Sequence, residues 1–527
     1  MSTGPGSQRL SASVDCVKTN SPAASRRWGS ILVLTALALL FAAVVLRTAW
    51  VSDDGFITFR TVDNALNGAG LRWNPAERVQ TYTHPLWMLL VLGGTAFTGN
   101  PYLTSVALSL GLTGCAVMLL LRNARWRTGP SVFALTAITW SSAFVDYSTS
   151  GLENALSHTL LALLLAACAE PTDGRAPTFR RGMILALIGT TRLDLLVLAG
   201  PVALASLRRW RHTLPWFALG FWPLAAWTAF AVVYYGVPFP NTAYAKLATR
   251  IPQPELTHQG FVYLLDSLNR DPVTLLVILT AVAVQLSTAT LRSWIPGLAL
   301  LLYVVYVVRI GGDFMAGRFL TAPFVVALTL LVRAEWALPP AMQAAPVMAV
   351  LALGLSAPGP LPRLLVGRFA QPIEMIWPPS GIVDERRYYF PRTGVITRDG
   401  IRTVPDYEQW VLATLRAQHP TTLVWNTVGM PGYVLGREYH IIDPLALGDP
   451  LLARLPARPR WRIGHYQRTL PEGYFESVVT GSNRIADPAL AAYYDTIREV
   501  TRGPLFTMRR WKAIVKLNTQ PVWTPDR

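Results

Sequence analysis

The feature that most limits the possible folds of this 527-residue chain is a series of long apolar segments. A helix needs roughly 20 apolar residues to cross the hydrocarbon core of a bilayer. Only 15% of the residues are charged, whereas about 25% is usual for soluble proteins. The segments that approach spanning length lie at residues 31–50, 101–121, 131–147, 154–169, 182–207, 214–235, 273–291, 294–309, 319–332 and 345–355. Counting 182–207 as a broken hairpin, they predict about eleven crossings.

The distribution of arginine predicts the orientation of these spans. The net charge of +17 would suit a nucleic-acid partner, but the arginines cluster in short loops between apolar runs, as cytoplasmic loops do. The run at residues 85–97 is short for a span. If it lies flat on the outer surface, every arginine cluster falls inside, so we place the N-terminus inside and the C-terminus outside. Nucleic acid is therefore not expected as a partner.

The same pattern divides the chain into three parts. We predict a polar cytoplasmic tail at residues 1–28, a transmembrane module at 29–356 and a domain outside the membrane at 357–527. The first outer loop occupies residues 52–100. In the last part, short strands at 421–426 and 439–443 and helices at 406–418 and 489–499 predict a small α/β domain. The predicted fold class is an α-helical polytopic membrane protein.

Two adjacent carboxylates, Asp53 and Asp54, follow the first apolar segment directly. Burying them in hydrocarbon would be costly, so they are expected at the membrane edge. If the following segment is helical, Asp53, Arg60 and Asn64 share one face, which predicts an amphipathic surface helix with its polar side towards a cavity. A carboxylate at a partly dry edge can act as a general base. The alternative is a solvated loop with two surface acids.

Other segments predicted to be outside carry polar residues, and each of these residues has a possible functional role and a possible structural role. Arg192, Lys246 and Arg318 are suited to holding a lipid phosphate, and the less favoured alternative is that they reach towards headgroups. Asp313 either orients Arg318 or only ends a span. Glu153 precedes a span, and capping of that helix is the favoured interpretation. The three cysteines, Cys16, Cys115 and Cys168, form no disulfide framework or metal motif.

Taken together, these motifs match one family. The segment at 52–87 contains Asp-Asp-Gly-Phe-Ile-Thr-Phe-Arg-Thr-Val-Asp-Asn, an Asn-Pro-x-Glu-Arg-Val turn and a later Pro-Leu-Trp. It resembles the terminal β-(1→2)-arabinofuranosyltransferases of mycobacterial cell walls and their wider bacterial relatives, some of which are labelled flagellar motor control proteins. Further matches lie in order at 149–153, 234–246, 311–318, 380–387 and 462–465. The C-terminal part is shorter than in the mycobacterial enzymes, and residues 80–87 are closer to the wider relatives.

The resemblance implies a GT-C-like membrane glycosyltransferase. In that class an acid of the first outer loop is catalytic, the donor is a polyprenyl-phosphate sugar, and a flat helix follows the loop. Carried over, Asp53 or Asp54 is the catalytic acid. The outer polar residues then form two predicted sets. Those expected to bind the donor are Arg60, Arg192, Asn241, Tyr244, Lys246, Asp313 and Arg318. Those expected to bind the acceptor are Glu77, Tyr82, His84, Asp384, Glu385, Arg387 and His465.

The expected reaction moves an arabinofuranosyl residue from polyprenyl-phosphoryl-arabinose to a hydroxyl of a cell-envelope glycan or glycoconjugate. It would take place outside the bacterial cytoplasmic membrane. No cofactor is expected to be required, and a divalent metal is possible but not indicated. The sequence leaves open the acceptor, the exact sugar, retention or inversion, the oligomeric state and which aspartate is essential. A flippase for lipid-linked sugars and a non-enzymatic envelope or motility scaffold are the alternatives. The one-sided placement of the polar residues argues against a transporter.

Overall fold

The computed structural model describes residues 22–169, 174–207, 209–288, 290–334, 342, 344–358, 362–365, 378–407, 409–419, 421–520 and 522–523. Most of the predicted tail at 1–28 lies outside them. The described chain is mainly helical, with two small two-stranded sheets.

The first sixteen helices lie before residue 334. They are α1 Pro22–Arg47, α2 Asp53–Leu66, α3 Pro85–Thr98, α4 Pro101–Asn123, α5 Thr128–Trp140, α6 Ser142–Asp146, α7 Asn154–Ala169, α8 Arg175–Thr191, α9 Leu195–Ala205, α10 Trp210–Leu219, α11 Trp222–Tyr234, α12 Asn241–Leu247, α13 Gln253–Arg270, α14 Pro272–Leu286, α15 Leu291–Arg309 and α16 Thr321–Arg333. A 3₁₀ turn, Arg318–Leu320, precedes α16.

The remaining elements alternate short helices and strands. They are α17 Ala345–Ser356, α18 Glu385–Thr393, β1 Ile396–Thr397, β2 Gly400–Ile401, α19 Gln409–Gln418, β3 Thr422–Val424, α20 Met430–Leu435, β4 His440–Ile442, a 3₁₀ turn Leu452–Arg454, α21 Tyr474–Thr480, α22 Pro488–Arg502 and α23 Met508–Thr519. Strands β1 and β2 pair antiparallel, and β3 and β4 pair parallel with Leu423 opposite Ile441. The strands and helices predicted for this part are thus found as β3, β4, α19 and α22, whereas α18, α20, α21, α23 and the β1–β2 hairpin were not predicted.

Several helices have the composition of membrane spans. Within the described residues, Trp28–Arg47 and Pro101–Asn123 are long and apolar enough to cross alone, and the bent pairs α10–α11 and α13–α14 add two spans if each pair counts as one. Shorter apolar helices include α3, α7, α9 and α17. The structure is therefore consistent with a helical membrane protein, while the number of crossings and the division at residue 356 stay predictions.

Two predicted spans are not single helices, which corrects the sequence interpretation. The segment at 131–147 breaks at Ser141, whose hydroxyl oxygen accepts the Phe144 N–H at 3.0 Å and so caps α6. The segment at 214–235 bends by 45° between α10 and α11. Pro223 lies in the first turn of α11, where its missing N–H costs nothing. Apolar composition predicts the membrane environment, but these polar and proline positions decide where a helix restarts.

The helices pack around α7 and α16. Helix α7 contacts α4, α8 and α16, and α14 contacts α15 and α16. Helices α8 and α10 approach each other closely, since a Cβ on Gly182 would collide with the carbonyl of Phe217. One continuous apolar core runs through these helices and includes Phe41, Leu161 and Val332. The loops between these helices are therefore anchored on a rigid helical base.

The polar face of α2 is covered by the C-terminal part of the chain. The Arg60 guanidinium donates to the carbonyls of Trp73 at 2.8 Å, Gly432 at 2.7 Å and Tyr439 at 2.5 Å. Asn64 donates to the carbonyl of Trp73 at 2.9 Å. The predicted helix is present, but these two polar residues face protein backbone instead of a cavity. They fix α20 and the start of β4 over the first outer loop.

The predicted topology can be tested by labelling single cysteines in intact cells. In a background where Cys16, Cys115 and Cys168 are serine, Glu438→Cys should react with a membrane-impermeant maleimide and Arg122→Cys should not. Both positions are exposed, and positive loops stay inside. Labelling at 122 with protection at 438 would invert the topology.

Candidate active site

A cavity of about 730 Å³ lies where several segments that were predicted to be outside the membrane meet. Its walls come from the start of α2, residues 81–84, helix α12, residues 314–318, the start of α18, and the C-terminal residues 426–428 and 460–467. Its lining includes carboxylates, cations, aromatic rings and hydroxyls. These are the groups that bind sugars and phosphates, so this cavity is the candidate active site.

The structure brings eight of the predicted site residues together at this cavity. They are Asp53, Asp54, Tyr82, His84, Lys246, Arg318, Glu385 and His465. Lining residues that were not assigned a role include Tyr388, Tyr389, Arg460, Trp461 and Arg462. Tyr388, Tyr389 and Arg462 lie in the polar, aromatic stretches of sequence that also contain the assigned residues Glu385 and His465. Arg460 and Trp461 carry no such signal.

The two aspartates have different environments. Asp53 is 8% exposed, and its carboxylate oxygens accept the N–H groups of Gly429 at 3.0 Å and Met430 at 2.7 Å. The approach is close, because a Cβ on Gly429 would collide with the Asp53 carbonyl. Burial raises the pKa of Asp53 to about 7, opposed in part by the Met430 N–H. Asp53 therefore joins α2 to the C-terminal part of the chain.

Asp54 faces the cavity and the cations. Its side chain is 28% exposed, and its Oδ2 lies 4.0 Å from Nη1 of Arg318. Burial raises the pKa of Asp54, while the charges of Arg318 and Lys246 act in the opposite direction. A carboxylate with a raised pKa, placed beside cations and open to a ligand, can take a proton from a bound hydroxyl.

Glu153 connects three segments that lie far apart in the chain. Its fully buried carboxylate lies 3.1 Å from His84 Nδ1, 3.2 Å from Arg318 Nη2 and 3.4 Å from Arg192 Nη1. Burial alone would raise the pKa of Glu153, but Arg318, His84 and Arg192 outweigh it and hold the pKa well below the usual range. Its charge thus fixes two arginines and the ring of His84, a role beyond the predicted capping of α7.

His84 extends this arrangement to the cavity. Its Nε2 lies 2.9 Å from the hydroxyl of Thr58, one turn after Asp54 on α2. The chain of contacts from Glu153 through His84 to Thr58 fixes the wall beside the carboxylates. On the opposite side, His465 packs edge-on against Phe314 with ring centroids 4.4 Å apart. Burial lowers the pKa of His465 to about 3, so this ring is neutral.

Four residues predicted to bind the donor lie away from the cavity lining. Arg60 is held by backbone carbonyls, as described above. Arg192 pairs with Asp194 at 2.6 Å as well as with Glu153. Asn241 donates to the carbonyls of Ala446 at 3.0 Å and Asp449 at 3.0 Å. The ring of Tyr244 lies under the guanidinium of Arg454 at 4.6 Å.

A fifth donor-set residue, Asp313, lies behind the cavity and 3.7 Å from Arg318. Of its two predicted roles, this geometry agrees with orienting Arg318.

Three predicted acceptor residues also lie outside the lining. Glu77 pairs with Arg502 at 3.2 Å. Asp384 pairs with Arg363 at 2.6 Å and caps α18. Arg387 is exposed on α18. The sequence placed all three at the outer face. Glu77 and Asp384 pair with arginines that lie 425 and 21 residues away along the chain, so sequence spacing could not show that these two charges are used internally.

Within the part of the chain that the structure describes, no group of three or more His, Cys, Asp or Glu side chains is arranged to hold a metal ion. The expectation that no cofactor is required stays a prediction.

Comparison with known proteins identifies two relatives with the same description. A terminal beta-(1->2)-arabinofuranosyltransferase of Mycobacterium tuberculosis is 27% identical over 546 aligned positions, which cover 84% of each chain. A protein of the same name from Corynebacterium glutamicum is 30% identical over 350 positions, which cover 55% of this chain and 50% of the relative. No protein-family profile and no solved structure matches the chain.

These relatives confirm the resemblance found in the sequence. They are similar to the chain along most of its length in one case and along about half in the other. Their names support a glycosyltransferase role for a membrane protein with this cavity. They also agree with a place in cell-wall biogenesis.

The structural role of Glu153 predicts a stability effect. Glu153→Gln removes one charge from a buried cluster and leaves Arg192 and Arg318 less well compensated. Breaking such a cluster should cost roughly 3–5 kcal/mol, seen as earlier thermal unfolding in detergent. The control is Glu499→Gln, because the partner of Glu499, Arg509, is 85% exposed; an exposed pair contributes less than about 1 kcal/mol. If Glu153→Gln and Glu499→Gln lower thermal stability equally, Glu153 does not hold these segments together.

Proposed function

We propose that this protein is a membrane glycosyltransferase that uses a polyprenyl-phosphate donor. It moves an arabinofuranosyl residue from that donor to a hydroxyl of a cell-envelope glycan on the outer side of the cytoplasmic membrane. The names of the relatives support the sugar and the reaction class. The observation that carries the proposal is the meeting of one accessible carboxylate, Asp54, with two cations, Arg318 and Lys246, in a single cavity.

The cations suit the leaving group of such a reaction. A donor of this kind releases polyprenyl phosphate, whose oxygen gains negative charge as its bond to the anomeric carbon breaks. Arg318 is fixed by Glu153 and Asp313, so its guanidinium is oriented before the ligand binds. Lys246 lines the cavity from α12. Fixed positive charge at the place where negative charge develops lowers the barrier.

The carboxylate of Asp54 is suited to activating the acceptor hydroxyl. Asp54 takes the proton of the acceptor hydroxyl while that oxygen forms its bond to the anomeric carbon. The bond from the anomeric carbon to phosphate breaks, and its electron pair leaves with the phosphate. Positive charge on the sugar ring in the transition state is stabilised by the nearby carboxylates. We assign the proton to Asp54 because both oxygens of Asp53 already accept backbone N–H groups.

The acceptor has room on the wall formed by residues 460–467. The ring of Trp461 lines the cavity, and its indole N–H donates to Glu255 at 3.1 Å. This contact orients the ring, and an oriented aromatic face is suited to packing against a sugar ring. Arg460 and Gln467 on the same wall add donors for glycan hydroxyls. A glycan entering from this side would reach Asp54 across the cavity.

The assignment of Asp54 predicts unequal effects at two adjacent positions. Asp54→Asn should lower kcat at least 100-fold, since the loss of a general base costs about 10²–10⁴-fold, with little change in thermal stability. Asp53→Asn leaves one backbone N–H without an acceptor and should destabilise the fold by roughly 1–3 kcal/mol. Full transfer activity in Asp54→Asn, or a greater loss in Asp53→Asn at a temperature where both are folded, would reverse the assignment.

The phosphate assignment predicts a selective effect at Lys246. Removing one charge-assisted contact should weaken donor binding by roughly 1.5–3 kcal/mol. Lys246→Ala should therefore raise the KM for the donor about tenfold or more and leave the KM for the acceptor unchanged. Lys512→Ala is the matched control, because Lys512 is exposed on α23. A larger change in the acceptor KM would place Lys246 at the acceptor side.

A further inference from the structure

Glu385 is a buried carboxyl group whose neighbours leave it incompletely satisfied. It is the first residue of α18, it lines the cavity, and it is only 4% exposed. Its Oε2 has no hydrogen-bond partner among the residues that the structure describes. A buried polar atom without a partner is costly unless a ligand supplies one. The side chain is therefore placed to meet something that enters the cavity.

The backbone around Glu385 is rigidly held. The Val383 N–H donates to the Phe314 carbonyl at 2.8 Å, and the Ala316 N–H donates to the Val383 carbonyl at 3.0 Å. Asp384 accepts the Arg387 N–H at 2.9 Å and a donor of Arg363 at 2.6 Å. The position of the carboxyl is thus set by its anchors, so the missing partner of Oε2 is a built feature of the cavity.

The charges that face Glu385 come from each element packed around it. Asp53 and Asp54 approach from α2, and Asp313 and Arg318 approach from the loop before α16. Arg462 faces it from the 460–467 wall, and the phenols of Tyr147 and Tyr389 lie on its other sides. Burial, together with Asp54, Asp53 and Asp313, raises the pKa of Glu385 well above its usual range, against the opposing effect of Arg318. A carboxyl buried beside three other acids favours its protonated, neutral form.

We propose that Glu385 is a third functional carboxyl of this cavity, which donates its O–H to a hydroxyl or ring oxygen of the transferred sugar. This inference rests on the proposed function. A neutral carboxyl offers one donor together with acceptor capacity. It orients the sugar without adding a negative charge beside the donor phosphate and beside Asp54. Asp54 then takes the proton of the acceptor, and Glu385 keeps its own proton through the reaction.

Two substitutions separate a neutral donor from an ionised base. Glu385→Gln keeps the shape, the neutrality and an N–H donor, so kcat/KM should stay within about fivefold of the wild type. Glu385→Leu removes the donor, so kcat/KM should fall roughly 10- to 100-fold, as the loss of one buried hydrogen bond does. Glu438→Gln, on an exposed residue, is the control. An equal, large loss in the glutamine and leucine variants, with both folded, would overturn the proposal.

The pH profile gives a second readout that packing alone would not change. Wild-type activity should fall at high pH as Glu385 loses its proton. An ionised Glu385 has no O–H to donate to the sugar, and its negative charge is repelled by the nearby carboxylates. In Glu385→Gln this high-pH loss should disappear or move to higher pH. An unchanged loss in that variant would show that another group causes it and would overturn the role of Glu385.

Infrared spectroscopy reads the protonation state without any activity. At pH 7 the wild type should show a protonated-carboxyl C=O band that Glu385→Gln lacks. If Glu385→Gln instead lacks a carboxylate band of the wild type, Glu385 is ionised and the proposal is overturned. If the band is present but no donor supports transfer, the proposed function fails separately.

Binding of polyprenyl-phosphoryl-arabinose then tests the sugar contact. It is measured by thermal shift in the wild type and in Glu385→Leu. Weaker binding in the variant supports the contact, and equal binding refutes it.

Discussion

The ion cluster at Glu153 is the interaction on which the candidate site depends. One buried carboxylate receives His84 from the first outer loop, Arg192 from the break between α8 and α9, and Arg318 from the loop before α16. These segments are far apart in the chain, and each is mounted on a different helix of the apolar core. A buried charge is tolerated only when it is paired. The cluster therefore forces the three segments to meet, and the cavity forms beside it.

The same cluster separates the charges of the cavity into two groups. Arg318 is tied to Glu153 and Asp313, which leaves its Nη1 only 4.0 Å from Asp54. Asp53 is used to hold the C-terminal segment, so Asp54 remains as the accessible carboxylate. The guanidinium of Arg318 and the carboxylate of Asp54 are thus held 4.0 Å apart without forming a close ion pair. That arrangement suits a reaction in which a phosphate leaves on one side of a sugar carbon and a hydroxyl attacks.

Local signals in the sequence predicted much of the fold. Of the two interpretations of the segment after Asp53 and Asp54, the helix is the one found, as α2, and α7 begins at the predicted Asn154. Long-range pairing was not predictable, because Arg60 meets the Gly432 carbonyl across 372 residues of chain. Glu153 illustrates the same limit at the site: an acid before a helix predicts a cap, whereas its actual partners lie on three other segments. Glu385 was predicted at the outer face, but its burial and missing partner belong to the folded chain.

Sugar transfer by the purified protein tests the central claim most directly. The full-length chain in lipid nanodiscs is incubated with polyprenyl-phosphoryl-arabinose and a panel of arabinan oligosaccharides, and the products are separated and analysed by mass spectrometry. The account predicts an acceptor lengthened by one pentose, formed together with free polyprenyl phosphate and absent with Asp54→Asn. Intact donor with every acceptor, under conditions where the protein is folded and binds the donor, would contradict it.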